Sequence, residues 1–198
     1  MLRPRDLTLL VGRLVLGGYL AAHGAQKLFG AFGGPGLGPV AQGFDRIGLR
    51  PGTVTAAAAG MSELGGGLLT AAGALDPLGP LAVAGTMAVA STTHRANGPF
   101  MQKGGYELAA TNLAAALVLV GTGAGSLSLD RALGVQVPRW AVRLAFAAGL
   151  GAAIASIAML LRAARAPVTE PAGPAADDGS AADDGAGTTE AEDRSHAE

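Results

Sequence analysis

The sequence contains no cysteine among its 198 residues. This absence excludes disulfide bonds, thiolate metal ligands, cysteine-ligated iron–sulfur clusters and a thiol nucleophile on this chain. If the protein takes part in redox chemistry, the reactive sulfur or metal must therefore belong to another molecule.

Charged and aromatic residues are also scarce, at 15% and 4% of the chain. Soluble domains carry about 25% charged residues, whereas here apolar residues make up 49% and the mean hydropathy is +0.38. This composition argues against a soluble enzyme. The formal net charge of -1 hides a division, because residues 1–168 carry 13 basic and 6 acidic side chains and residues 169–198 carry 1 and 9.

Five apolar windows are present, and each can be compared with the roughly 20 residues that a helix needs to cross a bilayer. They lie at about residues 7–29, 53–75, 78–94, 107–129 and 140–161. Small residues such as Gly65, Gly66 and Gly67 fill them, and in lipid such residues let helices approach closely. The sequence therefore predicts an all-α polytopic membrane bundle over residues 1–165, with a four-helix core and a fifth transmembrane helix.

Two segments lie outside these windows. Residues 166–198 are rich in Pro, Ala, Gly, Asp and Glu and cannot bury enough apolar surface to offset the entropy of ordering, so we predict a disordered acidic tail. Residues 30–52 are rich in Gly and Pro but lack the preceding strand and the Lys-Ser/Thr of a phosphate-binding loop, which favours a connector. Within it, residues 40–49 fit a short amphipathic helix.

Ionisable residues within the windows are costly at membrane depth and are normally paired, hydrated or functional. The set comprises Arg13, His23, Lys27, Glu63, His94, Glu107 and Arg143. Depth can be measured from the membrane face that carries the connector at residues 30–52. On this scale the expected depths are about 3 Å for Lys27, 9 Å for His23, 15 Å for Glu63 and 24 Å for Arg13. Most of the set therefore gathers in one half of the bilayer. Glu63 can pair with Arg13 or Lys27, and Glu107 with Lys27.

Several interpretations of this cluster stay open. The charges form either buried ion pairs that fix helix register or a polar pocket that binds a head group or passes protons. Gln26 adds a hydrogen-bonding group suited to a quinone carbonyl or another polar ligand. His23 and His94 are an alternative pair of axial haem ligands, although histidines near helix ends are more often hydrogen-bonded. Neither a metal site nor a nucleic-acid partner is predicted.

A set of motifs resembles one known family, the DoxX family of small bacterial and archaeal membrane proteins. The motifs are Arg13-Leu-Val-Leu-Gly17, His23-Gly-Ala-Gln-Lys-Leu-Phe-Gly30, Glu63-Leu-Gly-Gly-Gly-Leu-Leu69, Gly105-Tyr-Glu107 and Gly123-Ala-Gly-Ser-Leu-Ser-Leu-Asp130. The resemblance covers about residues 7–131. The polar set that it carries over is Arg13, His23, Gln26, Lys27, Glu63, Gly66, Glu107, Ser126 and Asp130.

The resemblance implies a four-helix bundle in the plasma membrane that serves a quinone-linked or stress-related redox system. It identifies no catalytic residue, so whether the chain is an enzyme stays open; if it is one, we expect a non-thiol membrane subunit of an oxidoreductase complex. The binding of a quinone or a partner is expected at Arg13, His23, Gln26, Lys27, Glu63 and Glu107. The expected partners are the lipid bilayer, a soluble redox protein and a second copy of the chain. Two other functions stay open, a small-molecule carrier or permeability factor and a non-catalytic membrane scaffold.

Overall fold

Glycine and proline define where the helices begin and end. The computed structural model describes residues 3–165, and the predicted acidic tail at residues 166–198 lies outside the described residues. The seven α-helices are α1 (Pro4–Phe29), α2 (Leu37–Arg46), α3 (Gly52–Ala72), α4 (Leu78–Thr93), α5 (Glu107–Thr122), α6 (Leu129–Leu133) and α7 (Arg139–Arg165). Helices α1 and α3 each end at a glycine in the left-handed region, Gly30 with φ 70° and Gly73 with φ 63°, which terminates a helix at little steric cost.

The prediction of an all-α bundle is confirmed for the described residues, which contain no strand. Helix α1 packs mainly against α3, and α4 packs between α3 and α5. The shared core is formed by apolar side chains of α1, α4 and α5, namely Leu9, Leu16, Leu20, Val83, Ala84, Met87, Ala109, Ala116 and Leu119. The short helix α2, whose bounds overlap the predicted residues 40–49, covers part of α3, and α7 packs on α4.

Each of the five apolar windows contains one long helix, but the helices differ in their fitness to span a bilayer. Helices α1 and α7 are long and apolar enough to cross a membrane. Helices α4 and α5 have 16 residues each, or about 24 Å, against a hydrocarbon core of about 30 Å. The prediction of five spans therefore stays a prediction, while the helical content of all five windows is a property of the fold.

The contact between α1 and α3 depends on glycines that bring the two backbones together. A Cβ atom added to Gly17 of α1 would lie 2.5 Å from the carbonyl oxygen of Gly67 and from the amide nitrogen of Ala71. One added to Gly24 would lie 2.6 Å from the carbonyl oxygen of Gly60. Since real Cβ atoms do not approach backbone atoms this closely, a side chain at these positions would push the helices apart.

We predict opposite effects for two neighbouring glycines of α1. Gly17→Ala should lower the free energy of unfolding by about 1–3 kcal/mol, because overpacking forces the backbones apart. Gly18→Ala is the matched control, since its Cβ would meet nothing within 4 Å; it should be neutral or stabilise the helix by about 0.5–1 kcal/mol. Thermal unfolding in detergent measures both, and equal midpoints for the two variants would contradict the backbone contact.

Candidate functional site

A buried ion pair joins α1 to α3. Lys27 lies in the last turn of α1 and Glu63 in the middle of α3, and the distance between Lys27 Nζ and Glu63 Oε1 is 2.5 Å. The Glu63 side chain is 2% exposed and that of Lys27 is 27% exposed. The second carboxylate oxygen of Glu63, Oε2, is buried and has no hydrogen-bond partner in the described residues. Glu63 therefore keeps one acceptor free inside the protein.

This pair lies on the wall of a cavity between α3, α4 and α7, which we call the α3–α4–α7 cavity. Its volume is about 600 Å³, within the range of small-molecule sites, about 300–1,000 Å³. The lining consists mostly of alanine, glycine and larger aliphatic residues. The hydroxyl groups of Ser62 and Thr86 also line it, but they bond to one another at 2.8 Å and to the carbonyl of Ala82. Glu63 is therefore the buried polar group of this wall with an unused acceptor.

Arg13 lies away from the ion pair, in the N-terminal half of α1. The interpretation that Glu63 pairs with Arg13 is wrong, because Glu63 bonds to Lys27. Arg13 is 2% exposed, its Nη2 donates to the carbonyl oxygen of Leu127, and its guanidinium group lies against Gly73. Its Nε and Nη1 atoms are buried without a hydrogen-bond partner in the described chain. The predicted single cluster is thus divided between two ends of the bundle.

The other predicted binding residues lie outside the α3–α4–α7 cavity. His23 makes an edge contact with the ring of Tyr19, with 4.6 Å between ring centroids. Gln26 packs beneath Gly34. Glu107, the first residue of α5, is exposed, and the pairing of Glu107 with Lys27 is wrong, since within residues 3–165 the carboxylate that bonds to Lys27 is that of Glu63.

His94 does line this cavity, unlike His23. Its Nδ1 atom lies 3.1 Å from the carbonyl oxygen of Gly104, so a backbone contact orients the ring. Among residues 3–165, no group of three or more His, Asp or Glu side chains is placed to hold a metal ion.

Asp130 fastens the turn between α3 and α4 to the start of α6. Its carboxylate accepts hydrogen bonds from the backbone amides of Leu75 and Asp76, both at 2.8 Å, and its own amide donates to the carbonyl of Gly73 at 3.1 Å. Ser126 is held in a similar way, since its backbone amide donates to Asp6 Oδ1 at 3.3 Å. Asp130 and Ser126, carried over from the family resemblance, therefore hold loops in this structure.

Asp76, in the turn between α3 and α4, was not singled out from the sequence. Burial raises the pKa of its carboxyl group above the usual 3.8, and the negative charge of nearby Asp130 raises it further. A backbone hydrogen bond from Ala124 and the positive charge of Arg13 oppose this rise. No pattern in the sequence indicates this residue, because its burial depends on loops that are about 50 residues apart in the chain.

The wall contributed by α7 was missed as well. A signal for it exists in the spacing of small residues along this helix, where Ala145, Gly149, Ala153 and Ser156 recur every three or four positions. These four side chains or backbones face the cavity, as expected for one face of an α-helix.

Residues 8–96 match the family model described as DoxX. No curated protein and no solved structure matches the chain. The matched residues include the ion pair and the α3 and α4 walls of the cavity. The match is shorter than the resemblance over residues 7–131, so Glu107, Ser126 and Asp130 lie beyond it, as does α7.

We predict that the two partners of the ion pair are energetically coupled. Lys27→Met should lower the free energy of unfolding by about 3 kcal/mol, since it leaves a buried carboxylate without its counter-charge. Glu63→Gln should cost less, because Lys27 is partly exposed and can reach water. The double variant should lose less than the sum of the two single losses, as measured by unfolding in detergent. Glu107→Gln, at an exposed carboxylate, is the control, and strict additivity would argue against the pair.

A second prediction concerns the pH dependence of stability. Because burial raises the pKa of Asp76, the folded protein binds its proton at a higher pH than the unfolded chain does. Between the raised value and 3.8, stability from Asp76 therefore increases as pH falls. Asp76→Asn removes this titration, so the stability of the wild type relative to the variant should rise on acidification from about pH 7 towards about pH 4. A difference that falls over this interval would contradict the burial of the carboxylate.

Proposed function

Because residues 8–96 belong to the DoxX family, we propose that this membrane protein crosses the plasma membrane several times and serves a quinone-linked redox system. In this proposal the chain is a non-thiol subunit that binds the quinone. A soluble redox protein supplies the electrons, since the chain has no cysteine to carry a thiol or iron–sulfur centre of its own. The α3–α4–α7 cavity is the proposed binding site.

The observation that carries the proposal is the Lys27–Glu63 pair on the wall of an otherwise largely apolar cavity. An ammonium group has three N–H donors, and the bond to Glu63 uses one of them. The remaining donors of Lys27 suit a carbonyl oxygen, and Oε2 of Glu63 suits a hydroxyl group. The aliphatic walls suit an apolar ring. Donor, acceptor and walls together fit both the oxidised and the reduced form of a quinone.

Each residue then has a distinct part. A bound quinone supplies two-electron, two-proton chemistry at its ring oxygens. Lys27 orients the ring by donating to one of these oxygens, and Glu63 holds Lys27 in place through Oε1. Oε2 of Glu63 accepts a hydrogen bond from the ring hydroxyl of the reduced form. The small residues of α3 and α4 leave room for the ring and exclude water from its faces.

The test is quinone binding by the full chain in detergent or nanodiscs. Decylubiquinone and menadione serve as probes, and a ligand at 100 times its Kd should stabilise the folded protein by about 2.7 kcal/mol. We expect quinone to raise the Tm of the wild type clearly. The apparent affinity derived from this shift should be at least tenfold lower for Lys27→Met and for Glu63→Gln, and it should be unchanged for Glu107→Gln. These comparisons are made at the same ratio of quinone to lipid.

Other outcomes would favour the other functions. If no quinone shifts Tm, and Glu63→Gln abolishes the uptake of a small molecule into sealed vesicles, the chain is a carrier. If Glu63→Gln lowers the Tm of the free protein and changes neither binding nor uptake, the pair is a structural element of a scaffold. Either result would overturn the quinone site.

A further inference from the structure

The α3–α4–α7 cavity is long, and its two halves differ in polarity. Its lining on α4 extends from Leu78 to His94, a path of about 24 Å at 1.5 Å per residue. Glu63 lies near the middle of this path, since its neighbour Ser62 bonds to the carbonyl of Ala82 and to Thr86. Beyond that point towards Leu78, the α4 and α7 walls are formed by Leu78, Leu81, Ala82 and Ala145. A head group at Glu63 would therefore leave an apolar groove vacant on this side.

Helix α7 borders the cavity with a face of small residues, and it borders the groove on the Leu78 side through Ala145. Its lining residues are Ala145, Gly149, Ala152, Ala153, Ala155, Ser156 and Met159. At Gly85 of α4, a Cβ atom would lie 3.9 Å from the carbonyl oxygen of Gly149, so the two helices lie close together there. A Cβ atom on Gly149 itself would meet nothing within 4 Å. Gly149 therefore lies level with Gly85 and beside the ring position, because Ser62, the neighbour of Glu63, bonds to the carbonyl of Ala82 and to Thr86. Ala145, one helical turn earlier in α7, lies beside the groove.

We propose that this groove holds the isoprenoid tail of a membrane quinone whose ring lies at Lys27 and Glu63, and that α7 determines this tail selectivity. The proposal rests on the quinone site described above. Two observations point to such an amphiphile, a buried carboxylate oxygen without a partner at the middle of the cavity and an apolar groove that continues from it. A tailless quinone would fill the polar part and leave the groove exposed, so it forfeits the burial of its hydrocarbon chain, which contributes about 25 cal/mol per Å² of apolar surface.

The tail then lies between α4, which is inside the residues 8–96 that match the family model, and α7, which is outside them. The ring site belongs to α1 and α3, whereas the tail site requires α7. Changes on α7 should therefore alter the preference for tailed quinones and leave the binding of the ring intact.

The experiment compares two quinones that share a methylnaphthoquinone ring, menatetrenone with an isoprenoid tail and menadione without one. It uses two variants of the full chain. Ala145→Leu enlarges a side chain that lines the groove, and Ala147→Leu is the matched control on the same helix, because Ala147 is exposed and does not line the cavity. Tm without ligand verifies that both variants fold.

We expect Ala145→Leu to weaken the binding of menatetrenone about tenfold or more and to leave that of menadione within about twofold. Ala147→Leu should change neither. Each affinity is expressed relative to the wild type with the same quinone, which cancels the partition of the quinone into detergent.

Three results would overturn the proposal in distinguishable ways. If both quinones bind the wild type and Ala145→Leu weakens both equally or neither, the tail does not lie along α7, although the quinone site stands. If neither quinone binds the wild type, the proposed function itself fails. If native mass spectrometry finds a phospholipid that the wild type retains and Ala145→Leu loses, the groove holds a lipid chain instead.

Discussion

The close approach of α1 and α3 through glycine determines much of this structure. Gly17 and Gly24 on one helix meet Gly67 and Gly60 on the other with no space for a Cβ atom. In a membrane there is little hydrophobic force between helices, so association depends on such packing and on interhelical polar contacts. The same contact fixes the rotation and the axial position of α1, and it therefore decides which side chain of α1 meets Glu63.

One consequence is that the charges of α1 act at two separate places. At the end where α1 begins, Arg13 donates to Leu127 and lies against Gly73, while Asp130 bonds to the turn after α3. These contacts tie three segments of the chain together and leave Arg13 enclosed. At the other end, Lys27 and Glu63 border the cavity. The contacts that hold the loops together and the ion pair that borders the cavity thus involve different groups.

Helix α7 gives the chain a feature that its matched segment lacks. It packs on α4, and only 6% of its most apolar stretch is buried within the protein. Its outer face carries large apolar residues such as Phe146, Leu150 and Ile154, which suits lipid contact, while its inner face is nearly all alanine and glycine. A helix of this kind adds a wall to a cavity with little change to the bundle beneath it.

The sequence by itself determined the helical class and the places where helices end, because apolar windows, Gly30, Gly73 and the prolines act locally along the chain. The sequence also predicted a cationic partner for Glu63, since a lone buried carboxylate is costly, and it indicated that α1 supplies this cation. Only the tertiary structure shows that Lys27, and not Arg13, is the partner of Glu63 and that Glu107 does not pair with Lys27. It also shows that Asp76 lies in a buried turn and that α7 lines the cavity. These outcomes depend on the rotation and register of helices far apart in sequence, and that geometry is set by packing between surfaces rather than by any local pattern.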